Sequence, residues 1–343
     1  MVKTGFIGAG TTGTALAVRL SSRRWPIIAV SSRSLASARK LASQVPDCRV
    51  CETPQEVSDL AELVFITTTD DAIARVCGEV QWRAGQSVVH CSGAHSVDIL
   101  EPARLAGAAV GSFHPLQTFA HVDHAVENLP GSAFALEAEE PLLSKLKQLA
   151  VLMNGNWVVL KPGDKVLYHA AAVFACNYLV TLVNMALELW RGFGASPGQA
   201  TGALLPLLKG TVNNIGNIGL PNCLTGPVAR GDLGTIERHL SALQGPHASL
   251  LPIYRELALQ TIPIALAKGT IDEDRASEMA TMLNCADPSS ASLPAQNREA
   301  SIRRRVAPST GPKGQKTARG AANDEQGEAM TGSKSESNEG DTK

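Results

Sequence analysis

The chain has 343 residues, enough for two domains, and 44% of them are hydrophobic, which allows a sizeable core. Lys plus Arg number 31 against 32 for Asp plus Glu, so no global field recruits nucleic acid or a membrane surface. The start of the chain lacks the pattern of a signal peptide, no uncharged apolar run of membrane-spanning length is evident, and seven scattered cysteines suit free thiols in a reducing compartment; the expectation is a cytoplasmic protein.

In chain order, residues 2–7 form a short β-prone run that leads into Gly8, Ala9, Gly10, Thr11, Thr12 and Gly13. This is the G-x-G-x-x-G spacing of a dinucleotide-binding turn. Its glycines serve a tight strand-to-helix turn, close backbone approach to a pyrophosphate, and helix-on-strand packing. Ala15, Leu16, Val18 and Leu20 then suit a helix whose N-terminal amides face that anion. A second strand at 27–30 ends in Ser31, Ser32 and Arg33, with no acidic residue to hold the ribose 2′-hydroxyl of NAD. Hydroxyls and a guanidinium suit the 2′-phosphate of NADP, so NADP is favoured over NAD.

Helical residues 35–44 follow, then a short strand at 49–51 and a helix start at Thr53 and Pro54. Cys48 and Cys51 form a C-x-x-C without a second pair at zinc spacing, so no metal site is expected. Residues 63–67 are a continuous apolar run of the kind covered on both faces of a sheet. After it come Thr68, Thr69, Asp70 and Asp71, an aspartate here capping a helix from Ala72. The strand at 87–90 ends in Cys91, Ser92 and Gly93. Three strands thus finish in small polar loops, at the edge where ligands settle in open parallel sheets, which places Thr68 and Ser92 beside the cofactor.

Further strands are expected at 108–113, 132–136 and 157–160, with a helix over 141–153. This alternation predicts one doubly wound parallel sheet over residues 1–160. In the stretch GSFHPLQTF, His114 lies just past a strand on a turn stiffened by Pro115, placed to donate to a substrate oxygen.

From Lys161 the strand signal disappears. A mostly apolar helix is expected over 165–190, with others at 197–214, 235–243, 248–267 and 272–283, giving an all-α domain over 161–286. On the long helix, Lys165, His169, Ala172 and Cys176 share one face, and Asn177, Thr181, Asn184 and Glu188 form a stripe on another. The expectation puts His169 and Asn177 toward a cleft and Glu188 toward solvent or a partner. Thr225, Arg230, Asp232 and His239 are close in sequence, and Thr225 or Arg230 suits an acidic substrate group. Residues 287–343 contain no aromatic and few large apolar side chains, so they are expected to be disordered, with Arg303 to Arg305 a solvated cluster.

The glycine turn, VVHCSGA at 88–94, GSFHPLQTF at 111–119, YHAAAVFACNY at 168–178 and LTGPVARGD at 224–232 together resemble the predicted oxidoreductases that join a Rossmann-like domain to domain of unknown function 2520. The resemblance implies an NADP-binding fold related to ketopantoate reductase, pyrroline-5-carboxylate reductase and the 6-phosphogluconate and β-hydroxyacid dehydrogenases. It also implies a helical second domain that commonly forms a homodimer. The β-hydroxyacid pattern has a catalytic lysine followed four positions on by asparagine, whereas Lys165 is followed by His169, so a lysine mechanism does not carry over. The expectation is hydride transfer between NADP and a small carbonyl, hydroxyl or imine compound. His114 or His169 would handle the proton, Asn177 would orient the substrate, and Arg230 or Thr225 would hold an acidic group. An NADP-binding sensor without turnover, or a different carrier such as a deazaflavin, are the alternatives.

Overall fold

The structure, a computed structural model, describes residues 1–285. The expected tail, with Arg303 to Arg305, lies outside the described residues. By contact the chain divides into two compact units, Met1–Leu224 with His239–Ile253, and Thr225–Arg238 with the described residues from Tyr254 on.

The first unit is built on an eight-stranded sheet of order β3-β2-β1-β4-β5-β6-β7-β8. In chain order the elements are β1 (Thr4–Ile7), α1 (Thr11–Ser22), β2 (Ile27–Ser31), α2 (Leu35–Ala42), β3 (Arg49–Val50), α3 (Pro54–Leu60), β4 (Leu63–Ile66) and α4 (Asp70–Glu79). Then come β5 (Ser87–His90), α5 (Glu101–Leu105), β6 (Ala109–Leu116), α6 (Val122–Asn128), β7 (Ala133–Ala138), α7 (Leu142–Leu152) and β8 (Asn156–Val159). All pairings are parallel except β6 with β7, so the sheet is mostly rather than wholly parallel. The order reverses at β1, between β2 and β4, and this switch point opens a crevice beyond the strand ends.

Both faces are covered, and β4 shows how. Leu63 and Phe65 join the apolar cluster that holds Leu16 and Leu146, whereas Val64 and Ile66 join the one that holds Val57 and Ile73. A strand that buries both faces needs an unbroken apolar run. A row of rings crosses the first face, with Phe6 on Phe65 at 5.2 Å and Phe113 on Phe134 at 4.7 Å between centroids. Burying each such ring contributes about 1.5–3 kcal/mol.

Two expectations change. The helix after β4 starts at Asp70 rather than Ala72, with Thr69 as its N-cap making no side-chain capping bond. The two aspartates therefore lie inside the first turn, where the helix dipole favours them. Secondly, β6 extends through Pro115, so His114 is inside a strand and not on a turn. Pairing of β6 with β5 ends at Ser112 opposite His90, while pairing with β7 continues to Leu116 opposite Ala133. The last residues of β6 thus overhang β5 as an edge, which is where a strand tolerates proline.

After β8 only helices follow among the described residues. The first is continuous over Asp164–Gly192, comprising α8 (Asp164–Ala172), a π turn (Val173–Asn177) and α9 (Tyr178–Gly192). An 18-residue window of it has mean hydropathy 1.7 and none of that window is buried, so by length and composition it reaches membrane-spanning size. This revises the expectation that no run of that length exists: Asn177, Thr181 and Asn184 break the run to the eye but are too few to bring its mean down. Then comes α10 (Pro197–Ile218), opened by a capping box between Ser196 and Gln199. The last helices are α11 (Leu233–Ala242), α12 (Leu251–Lys268) and α13 (Glu273–Asn284).

Candidate functional site

The glycine turn leaves β1 with Gly8 at φ +113°, a conformation that side-chained residues rarely adopt, and its N–H donates to the Ser31 carbonyl at 2.8 Å. A Cβ on Gly8 would stand 2.6 Å from the Thr67 carbonyl group, and one on Gly13 would collide with the Thr67 side chain. Gly10 differs, since a Cβ there would meet nothing within 4 Å. Two glycines are thus required by packing between β1, α1 and the end of β4, and the third keeps open the space in front of the helix. Gly10 also N-caps α1 without a side-chain bond, and the first turn carries no acidic residue. The positive end of α1 is left for an external anion, whereas that of α4 already holds two carboxylates.

In front of this turn lies a cavity of about 790 Å³, whose lining includes residues 7–12, 31–34 and 67–70, Cys91 and Phe119, and the charged Glu52, Arg75 and Glu79. Ser31 contributes a buried hydroxyl with no hydrogen-bond partner. Exposed Arg33 stands on the same lining. A bare turn, an uncapped helix and an orphaned hydroxyl beside a guanidinium fit a phosphorylated dinucleotide. Gly13 and Ser92 are not on the lining; Gly13 packs behind it, and the Ser92 hydroxyl donates to Asp70, which is on it, at 2.8 Å.

Beyond the end of β5 a second cluster forms. Nδ1 of His114 and the hydroxyl of Tyr168 are 2.8 Å apart, and the His114 and His169 rings meet edge-on with centroids 6.2 Å apart. Both imidazoles close on Gly93. A Cβ there would stand 2.7 Å from Nδ1 of His169 and 2.8 Å from Nε2 of His114. Nδ1 of His169 is buried and has no hydrogen-bond partner. Burial, then the Lys165 charge, push His114 down to about 4, and burial pushes Tyr168 up to about 12, so at neutral pH the pair holds a neutral imidazole and a protonated phenol.

The floor of this cluster is a polar row. His90, Ser112 and Glu137 stand opposite one another across β5, β6 and β7, all buried. Nδ1 of His90 accepts from the Ser92 amide at 3.1 Å, which leaves its Nε2 to donate to the Ser96 carbonyl at 3.2 Å. Burial, then Lys165, push His90 down to about 3. The Ser96 hydroxyl donates to Oε1 of Glu137 at 2.8 Å. Lys165 is 3% exposed, and its ammonium donates to the Ser92 carbonyl at 2.5 Å and to Oγ of Ser112. Burial lowers Lys165 to about 8 against the raising influence of Glu137, so it is charged at neutral pH.

Of the residues proposed from sequence, the structure brings His114 and His169 together. Asn177 is exposed at the end of the π turn, about 12 Å along the helix from His169. The π turn shifts the phase of the helix there, so a face drawn with one constant period does not carry through it. Thr225 and Arg230 belong to the second unit; both are exposed, and Arg230 lies 4.0 Å from Asp232. Tyr168, Gly93, Lys165, His90 and Glu137 were missed as site residues. All but Glu137 lie in or just before the stretches VVHCSGA and YHAAAVFACNY, so the signal was a histidine in each of two largely apolar motifs, one running off the end of β5 and the other on the long helix. Cys48 and Cys51 are free thiols, and among the described residues no group of three His, Cys, Asp or Glu side chains is placed to hold a metal.

The sheet order, the switch at β1 and the glycine turn define a Rossmann-like protein, and residues 1–115 match the Rossmann-like domain family. Residues 132–261 match the domain of unknown function DUF2520, so the chain is a Rossmann-like domain followed by a DUF2520 domain. It is similar to the crystal structure of a candidate NADP oxidoreductase of Bacteroides fragilis, with 25% identity and TM-score 0.61 over 76% of this chain and 98% of that one. A protein of Thermotoga maritima is similar too, with 26% identity and TM-score 0.60 over 78% and 99%. A reductive aminase of Aspergillus terreus in complex with NADPH shares the fold alone, with 15% identity and TM-score 0.54 over 89% and 94%. No protein with a curated description matches the chain.

Proposed function

We propose that this protein is an NADP-dependent oxidoreductase that reduces a small carbonyl or imine compound, or oxidises the corresponding hydroxy acid or amine. The observation that carries the reading is the convergence of His114 and His169 on Gly93, with Tyr168 bonded to His114, beyond the strand whose loop is tied through Ser92 to the cofactor cavity. Bound cofactor would supply or take the hydride. The chain has to hold the substrate and supply one proton. With the phenol donating to Nδ1, neutral His114 carries its proton on Nε2, the nitrogen over Gly93; as that proton passes to a substrate oxygen or nitrogen, the Tyr168 phenol proton moves to Nδ1, and solvent reprotonates the part-exposed phenolate. The unpartnered Nδ1 of His169 offers the substrate a second contact. Similarity to a candidate NADP oxidoreductase supports the reading.

The test is to titrate NADPH and NADH by fluorescence and to follow cofactor oxidation across a panel of 2-keto acids and cyclic imines. NADPH is expected to bind more tightly, and Arg33→Ala to weaken NADPH about 10–100-fold with little change for NADH, the size of one lost charge-assisted hydrogen bond. Turnover with one member of the panel supports the proposal. NADPH bound without turnover anywhere would favour a sensor instead.

The exposed apolar surface of the helical part supports a homodimer. Val166, Leu167, Phe174 and Val180 on the long helix, and Leu207 and Val212 on α10, are each more than half exposed. Monomers rarely leave such apolar surface uncovered. A second copy suits it better than lipid, because Asn177, Thr181, Asn184 and Glu188 run through the same helix. Sedimentation equilibrium of the full chain is expected to give twice the monomer mass, and Val180→Glu to shift it toward monomer; a wild-type monomer at micromolar concentration overturns this.

A further inference from the structure

We propose that Lys165 is a positioning residue, resting on the oxidoreductase reading above: its buried ammonium, seated on Ser112 and on the Ser92 carbonyl, sets the register of α8 along β6 so that Tyr168 and His169 meet His114 over Gly93. The geometry follows from two periodicities. Ser112 and His114 are two residues apart on β6, so their side chains share one face of the sheet. Lys165, Tyr168 and His169 are three and four residues apart on α8, so they share one face of that helix. The contact of Lys165 with Ser112 therefore lies one helical turn and one strand repeat before the contacts of Tyr168 and His169 with His114. An α8 displaced by one residue would lose both sets together.

Lys165 is almost fully buried, two of its three N–H donors go to the Ser92 carbonyl and Ser112, and the atoms nearest a Cβ on Gly93 are those of the two histidines. Burying an ammonium is costly and persists only where partners hold it. Here Glu137 supplies the countercharge from β7, with its Oε2 buried and free of a hydrogen bond. The Ser92 carbonyl also belongs to the loop whose hydroxyl holds Asp70 on the cofactor cavity. One side chain thus ties the helix, the loop and the end of the cavity together. Its charge acts on His114 as well, alongside His169 and, in the opposite direction, Asp70.

The experiment compares the full-length protein with Lys165→Met and Ser112→Ala, reading steady-state kinetics with NADPH and the NMR titration of His114 without cofactor. Lys165→Met is expected to lower kcat about 10²-fold, the scale of a misplaced reacting group, with KM for NADPH little changed. It is also expected to raise the pH at which His114 titrates, because a neighbouring positive charge is gone; loosened packing would raise it too by relieving burial, so Ser112→Ala, which disturbs the same contact but keeps the charge, separates the two causes. Ser112→Ala is expected to lower kcat about 10-fold with the His114 titration unmoved. Wild-type kcat and wild-type His114 titration in folded Lys165→Met would overturn the proposal. Should that variant fail to fold, wild-type kcat in Ser112→Ala overturns it. A wild-type protein that never turns over NADPH would sink the functional reading, while the His114 titration still decides the role of Lys165.

Discussion

Replacing His114 by alanine is expected to lower kcat by about 10²–10⁴-fold, the usual contribution of a positioned proton donor, while NADPH affinity stays near that of the unaltered protein. The split is expected because His114 is not on the lining of the cofactor cavity, and its partners are Tyr168, His169 and Gly93. Tyr168→Phe keeps the ring and removes only the hydroxyl that bonds Nδ1, so it should lower kcat in the same direction by freeing the imidazole to take the other tautomer. The pH profile carries independent information. His114 is pushed down to about 4, so the neutral imidazole persists through neutral pH and is lost only as the pH falls toward 4. No kcat limb near the ordinary histidine value of about 6.5 should therefore arise from it. The same shift has a stability consequence with a definite sign. A histidine whose folded value lies below its unfolded value contributes stability present above about pH 6.5 and lost as the pH falls through that window, of order 3 kcal/mol by linkage. His114→Ala with undiminished kcat would remove the histidine from the reaction and with it the proton route proposed above.

The Rossmann-like half of the chain was legible in the sequence because each part of it is local. A glycine spacing, an apolar strand and the residues at the next strand's end lie within a few tens of positions, and each has one physical reason for its residue type. Gly8, at a positive φ, and Gly13 leave no room for a Cβ against Thr67, and Gly10 faces open space. The proton-handling half was only partly legible because it depends on where strands end relative to one another. His114 reads as a turn residue beside Pro115, yet it occupies the overhang of β6 past β5, and nothing in a single strand's sequence announces that its neighbour is shorter. Asn177 shows the same dependence: nearness to His169 in sequence does not reveal that the π turn at Val173–Asn177 lies between them and that Asn177 is exposed. Lys165 showed its place on the His169 face but not its burial, which is set by Ser112 on β6 and Ser92 in the loop after β5, both far away in sequence.

Gly93→Ala should disable the same reaction without removing any functional group. The added methyl would stand 2.7 Å from one imidazole and 2.8 Å from the other, both inside normal contact distance. Neither ring has an easy retreat. His114 is held at Nδ1 by Tyr168 and sits on a strand paired with β7, and His169 is on the helix anchored one turn earlier by Lys165. The loop cannot simply back away either, because Ser92 is fastened on both sides, its hydroxyl to Asp70 and its carbonyl to Lys165. The strain should fall on the His114 to Tyr168 hydrogen bond, and a displacement of about 1 Å there is enough for a loss of about 10²-fold in kcat. The sheet core should be untouched, since Gly93 is in the loop beyond β5 and the atoms nearest an added Cβ belong to the two histidines. Circular dichroism and NADPH affinity are therefore expected to match the wild type while kcat falls, and Gly93→Ala that turns over at the wild-type rate would show that the space over Gly93 is not where the substrate reacts.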